Sequence, residues 1–240
     1  MSDYTSEIEH SGIIFHIVRS SRKSVVGRVL PDCSVEIRAP LSMTTNKINA
    51  LLDTFESKLS PTIDAYRKIN ANIAGHPFGY GGEVLYKGKW TPIKESEDNS
   101  CGSTALFRDG EIIVKQGMRE AEMRCHIGRL FSYLAKPIFE AKLRYFSNLM
   151  NVRFNTWSVG SARKRHGSCD SNGKIILSWR IIMMNEAVVD YVIVHELAHL
   201  KHMNHAKVFY NEVATVFPDW KDRRALHRNY SDFLRCGGWL

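Results

Sequence analysis

Hydrophobic and polar positions change their period several times along the chain, and each change marks an element. Residues 13–38 carry short β-branched runs: Ile13-Ile14-Phe15-His16-Ile17-Val18, Val25 to Leu30, and Val35-Glu36-Ile37-Arg38. The last two flank Pro31-Asp32-Cys33-Ser34, which has turn chemistry. Pro40 closes the set. From Ser42 to Asn72 the spacing becomes helical, with Ile48, Leu51, Leu52, Phe55 and Leu59 on one face. Ser42, Thr44 and Thr45 are candidate N-caps, and Pro61 is expected to kink or split the helix. Residues 74–117 predict two hairpins. One pairs Val84-Leu85-Tyr86 with Lys89-Trp90-Thr91 around Lys87-Gly88; the other pairs Ala105-Leu106-Phe107 with Ile112-Ile113-Val114 around Asp109-Gly110. A polar loop, Glu95 to Gly102, lies between them. Met118 to Met150 reads as helix, with Pro137 breaking it in two.

Beyond Met150 the signals are denser. Val152 to Val159 alternates like a strand, a basic loop Arg163-Lys164-Arg165-His166 follows, and Asn172-Gly173 predicts a hairpin turn into Ile175-Ile176-Leu177-Ser178-Trp179. Asn185 is placed to cap a helix running from Ala187 to about His202. That helix is apolar on nearly every face (Val188, Val189, Tyr191, Val192, Ile193, Val194, Leu197, Ala198), so it belongs in the interior. Strands and helices mix without regular alternation, which makes the expected class α+β. The division expected is a β-rich region with one helical segment over 1–117 and a catalytic region over 118–240, or one continuous domain over 10–235.

Composition narrows the class further. No apolar run approaches the roughly 20 residues that span a bilayer, and the polar, acidic opening Met1 to Glu7 is not read as a signal peptide. Five cysteines, an odd number without a CxxC pair, argue against a disulfide framework and against a cysteine zinc knuckle, and fit the reducing cytoplasm. The net charge of +8 leaves room for an anionic partner.

The chemistry concentrates in His195-Glu196-Leu197-Ala198-His199. On a helix, residues four apart share a face, so two imidazoles can converge on one cation, and neutral imidazole is a good zinc ligand at about 2.0–2.1 Å. Glu196, roughly 100° around the helix from His195, can sit beside the metal and accept a proton from a zinc-activated water. Burying two histidines and a glutamate at the end of an apolar helix is costly without a purpose that satisfies them. A catalytic zinc needs a third protein ligand. His205 is preferred; on an unbroken helix it would lie about 120° off the ligand face, so the helix must end before it, with Asn204 able to turn left-handed there. His202 competes but stands two turns from His195, and a distant carboxylate or histidine remains open.

The stretch from Arg163 to Arg224 resembles the YgjP-like metallopeptidase family, small zincins related to the SprT and Wss-type proteases. Five features carry the likeness: Gly167-Ser168-Cys169, Ser178-Trp179-Arg180, Val194 to Leu200 around the HExxH motif, Asn204-His205-Ala206, and Pro218-Asp219-Trp220-Lys221-Asp222-Arg223-Arg224. The segments Arg19 to Ser24 and Val35 to Pro40 are more loosely similar. The resemblance implies a zincin-like (minigluzincin) catalytic part around the HExxH helix, one zinc ion on His195, His199 and His205, and Glu196 as general base. His166 and Ala206 depart from the tryptophan and serine usual there, and the spacing His199 to His205 matches metzincins but lacks their middle glycine.

The expected function is therefore a cytoplasmic zinc metallopeptidase acting on peptide or protein. Arg180 and His166 are candidate substrate or oxyanion contacts. Cys169 is read as structural rather than nucleophilic, and Glu212 and Asp219 as solvated or capping carboxylates before zinc-histidine partners. Arg163, Lys164 and Arg165, with Arg180, Arg223, Arg224 and Arg228, could form an anion or nucleic-acid surface, the bland reading being a solvated one. Two alternatives follow: a metal-dependent nucleotide or phosphoester hydrolase, and a DNA-associated accessory protein with a structural zinc. Oligomeric state has no signal.

Overall fold

The computed structural model describes residues 6–96 and 105–239; the expected loop from Glu95 to Gly102 lies mostly outside them. The class is mixed α+β. Two compact units divide the chain: residues 1–75 with 232–238, and residues 76–231 with 239–240.

The first unit is a four-stranded sheet in the order β1-β2-β4-β3, from β1 (Ser6–His10), β2 (Ile13–Ser20), β3 (Val26–Val29) and β4 (Val35–Pro40). β2 and β4 pair in parallel and the other neighbours antiparallel. The alternation read from sequence is visible as buried Ile13, Phe15, Ile17, Val35, Ile37 and Ala39. They pack with Ile48 of α1 (Thr45–Asn49) and with Leu52, Ile63 and Tyr66 of α2 (Leu52–Ala74). Gly27 permits that approach, since a Cβ there would stand 2.7 Å from the Phe55 ring. The helical stretch breaks at Ala50–Leu51 and runs on through Pro61, against expectation. Pro61 is exposed, so its orphaned carbonyl partner faces water while the buried Ile63–Tyr66 face continues. The Tyr66 hydroxyl donates to Asp232 at 2.9 Å and accepts from Arg235 at 2.8 Å.

The second unit holds two sheets. β5 (Glu83–Tyr86), β6 (Lys89–Glu95), β7 (Ala105–Arg108) and β8 (Glu111–Val114) form one in the order β5-β6-β8-β7. β9 (Thr156–Gly160), β10 (Gly167–Cys169) and β11 (Lys174–Ser178) form the other in the order β10-β11-β9. Both predicted hairpins are present, and the Lys87-Gly88 turn has positive φ at both residues and donates its amides to Ile182 and Met183. Strand β9 begins four residues later than its alternating pattern.

The helix α3 (Glu120–Leu149) is continuous through Pro137, correcting the expected break; the proline lies on the exposed face, while Ala135 and Phe139 keep the buried stripe unbroken. Against α3 lie a 3-10 turn (Trp179–Met183) and α4 (Glu186–Ala198), with Lys142 bridging Glu186 and Asp190 at 2.6 Å each. Two helices that the periodicity reading did not assign complete the unit, α5 (Lys207–Val216) and α6 (Trp220–Cys236), whose end counts with the first unit. No described helix is long and apolar enough to cross a membrane.

Candidate metal centre

α4 is buried on nearly every face and capped by Asn185, whose side chain accepts from the Val188 amide at 3.0 Å. Its last turns carry His195 and Glu196, and it ends at His199, earlier than the predicted His202. The chain leaves through tight bonds from the Leu200 and Lys201 amides to Leu197 and Ala198. Asn204 is not left-handed; its side chain accepts from the Ala206 amide at 3.4 Å. The early stop swings His205 back toward the helix, where an unbroken helix would have carried it away.

The ligand atoms of His195, His199 and His205 all lie within 4.8 Å of one another. Their ring centroids are 4.8–5.1 Å apart, and the fully buried Phe209 ring stands 4.6–4.8 Å from each of the three. Phe209, a residue the sequence reading did not single out, is thus the wall against which all three histidines are set. The His199 Nδ1–H donates to the His202 carbonyl at 3.0 Å, which fixes its tautomer and leaves the Nε2 lone pair free. Burial, with the neighbouring His199 and His205, pushes His195 down to about 3, so its imidazole is neutral and able to ligate.

This donor set fits a divalent cation. Nε2 of His195 and His205 face each other at 3.0 Å. Facing lone pairs repel unless a proton or a cation lies between them. Tetrahedral zinc sets its ligand nitrogens roughly 3.3 Å apart, close to the spacing present. His202 contributes its carbonyl and is not part of the cluster.

Glu196 is buried. Burial pushes its carboxyl up to about 8, with Arg165 pulling the other way; a cation beside it would act in the same direction as Arg165. Its room is provided by Gly167 of β10: a Cβ there would stand 2.4 Å from Oε1 and 2.6 Å from Cγ. The Gly-Ser-Cys signal was visible in sequence, but its reason is this contact. Cys169 follows on the same strand; burial, Glu196 and Asp170 push its thiol up to about 11, the opposite of what a thiolate nucleophile needs.

The remaining candidates disperse. His166 is buried and pairs through Nδ1 with Nε2 of His227 at 2.7 Å, a partner burial pushes down to about 4. The Arg180 guanidinium is buried and donates to the carbonyls of Trp239 and Ser161, lying 4.4 Å from the Trp179 ring. Glu212 pairs with Lys201 at 2.7 Å and Asp219 with Arg223 at 3.0 Å, so neither carboxylate is bonded to a histidine of the cluster. Arg163, Lys164, Arg165, Arg224 and Arg228 are exposed, while Arg223 also donates to the Ala187 carbonyl.

A sequence profile described as "YgjP-like, metallopeptidase domain" matches residues 23–229. Among solved structures, the chain is similar to the crystal structure of the metallopeptidase zymogen of Pyrococcus abyssi abylysin, at 24% identity over 36% of this chain and 89% of that one, with a TM-score of 0.34. No curated protein matches.

Proposed function

The chain belongs to the YgjP-like metallopeptidase family and is therefore a hydrolase, at family level a metal-dependent peptidase; on that premise we propose a zinc peptidase with one ion on His195, His199 and His205 and with Glu196 as general base. The convergence of three imidazoles within 4.8 Å, with a buried carboxylate one residue after the first of them, carries this reading. The catalytic part is a zincin-like (minigluzincin) arrangement within residues 118–240, centred on α4. When bound, zinc would supply polarisation of the scissile carbonyl and a lower pKa for water at the site.

The chain's own residues supply the rest. His199 is oriented by the His202 carbonyl, and Phe209 fixes the planes of all three rings. Glu196 accepts a proton from water and returns it to the leaving amine nitrogen. β10 is an edge strand of its sheet, so an extended peptide adding to it as a further strand would run past the Gly167–Glu196 contact.

Glu196→Gln separates binding from chemistry. Protein purified without chelator is expected to hold about one zinc per chain in both forms by elemental analysis, while peptide hydrolysis by the variant drops about 10²–10⁴-fold. Full activity in the zinc-loaded variant would remove Glu196 from its role, and wild-type protein that binds no zinc would remove the site.

A further inference from the structure

The peptidase reading leaves open what the substrate carries, and the distribution of paired and unpaired charge around the site speaks to it. The chain holds 33 Lys+Arg against 25 Asp+Glu. In the second unit Arg119, Arg124, Arg144 and Arg223 each have a carboxylate within 3.0 Å. Arg163, Lys164, Arg165 and Arg224 are exposed, and among the described residues none of them forms an ion pair with a carboxylate; Arg129, Arg153 and Arg228 share that state elsewhere on the unit.

Two of these charges lie on segments next to the site, Arg165 in the loop that leads into β10 and Arg224 on α6. Arg165 stands two residues before Gly167, whose backbone lies against the Glu196 carboxylate. Arg224 comes from α6. Its guanidinium lies 5.2 Å from the Tyr210 ring centroid, and the Tyr210 ring is 6.2 Å from that of His205. Of the acidic residues on the same segments, Glu212, Asp219 and Asp170 are bonded within the chain, while the exposed Asp222 of α6 has no ion pair among the described residues. Glu212 is held by Lys201, Asp219 by Arg223, and Asp170 by the amides of Asn172 and Lys174 at 2.9 Å each. A guanidinium is always charged and takes a carboxylate through paired N–H donors, and like-signed charges near one another raise the local attraction for anions.

Resting on the peptidase reading, we propose that this enzyme selects acidic peptides, with Asp or Glu side chains flanking the scissile bond recognised by Arg165 and Arg224. The test uses three fluorogenic peptides identical except for Glu, Gln or Lys at the flanking positions. They are offered to the zinc-loaded full chain, to Arg165→Glu, Arg224→Glu and the double variant, and to Arg129→Glu on α3, which changes net charge equally. Turnover is read as kcat/KM, and binding as fluorescence anisotropy in a Glu196→Gln background at about 50 and 200 mM salt. Circular dichroism melts show that each variant is folded.

The expected result is a preference of about 10-fold or more for the Glu peptide over the Lys peptide, shrinking with salt. Each single reversal should reduce it several-fold, the double reversal should invert it, and Arg129→Glu should leave it in place. Equal handling of the three peptides, or a preference that survives the double reversal, would overturn the proposal while continued cleavage of the Gln peptide keeps the peptidase reading. If no peptide is cleaved but the binding preference holds, the peptidase reading fails and the arginines' selectivity stands. A single-stranded oligonucleotide that binds more tightly than the Glu peptide and is lost in the same reversals would assign these arginines to nucleic acid and overturn the proposal.

Discussion

Gly167 shows how much of the site depends on an atom that is absent. It offers no ligand and no proton, yet the Glu196 carboxylate occupies the space its side chain would fill. Gly167→Ala would place a Cβ 2.4–2.7 Å from three atoms of that side chain, and Glu196 is buried, so it has little room to yield. We expect the variant to fold and to bind zinc as the wild type does, with hydrolysis falling on the order of 10²-fold, the cost of misplacing a catalytic group by about 1 Å. Unchanged activity would mean that Glu196 can act from a displaced position. The motif His195-Glu196-Leu197-Ala198-His199 was legible because its chemistry fixes its spacing. Gly167 was legible only as part of the Gly-Ser-Cys pattern of the resemblance, because a strand glycine has many causes. Phe209 gave no signal at all: an aromatic at the start of an amphipathic helix is ordinary core until three histidines are seen around it.

At the scale of elements, α4 was read closely where it starts and misplaced where it stops. Asn185 was legible as a cap because Ser, Asp and Asn accept from exposed helix amides, and its side chain takes the Val188 amide at 3.0 Å. The end of α4 was misplaced because nothing in Ala198 to Asn204 is a strong terminator; the stop comes from Leu200 and Lys201 amides turning to three-residue bonds. Pro61 and Pro137 misled in the opposite sense, since each sits on an exposed face while buried neighbours hold the helix together. The Asn185 cap carries a prediction of its own. It anchors the start of the element whose far end holds two of the three histidines, so Asn185→Ala should cost about 1 kcal/mol of stability, read from urea unfolding. Zinc content and kcat should change little, because the loss falls at the opposite end of α4. A drop in zinc occupancy without a loss of stability would show that the cap tunes the site instead.

For the whole molecule, the α+β class was legible because strand-period and helix-period segments mix without regular alternation, whereas the strand order in each sheet was not, since pairing between distant segments leaves no local mark. The molecule also contains a buried acid far in sequence from the metal centre, and it sets a pH dependence that belongs to the first unit. Glu36 of β4 is 1% exposed at its side chain and is bonded by Arg38 at 2.7 Å and Arg28 at 3.0 Å. Burial alone would raise its pKa, but the two guanidiniums outweigh it and hold the carboxyl below its ordinary 4.5. A carboxyl lowered by folding adds stability that is complete above its unfolded pKa and is lost as pH falls through its folded one. The contribution should therefore be intact at pH 7 and begin to fade below about 4.5. Glu36→Gln should lose it at every pH, lowering neutral stability by roughly 1 kcal/mol, since both arginines are half exposed to solvent, and flattening the acid limb. The probe matters, because all five tryptophans (Trp90, Trp157, Trp179, Trp220 and Trp239) lie in the second unit. Tryptophan emission would follow the wrong unit, so far-UV circular dichroism in urea across pH 7 to 3 is the measurement to make. An acid limb as steep in Glu36→Gln as in the wild type would show that other carboxylates govern it.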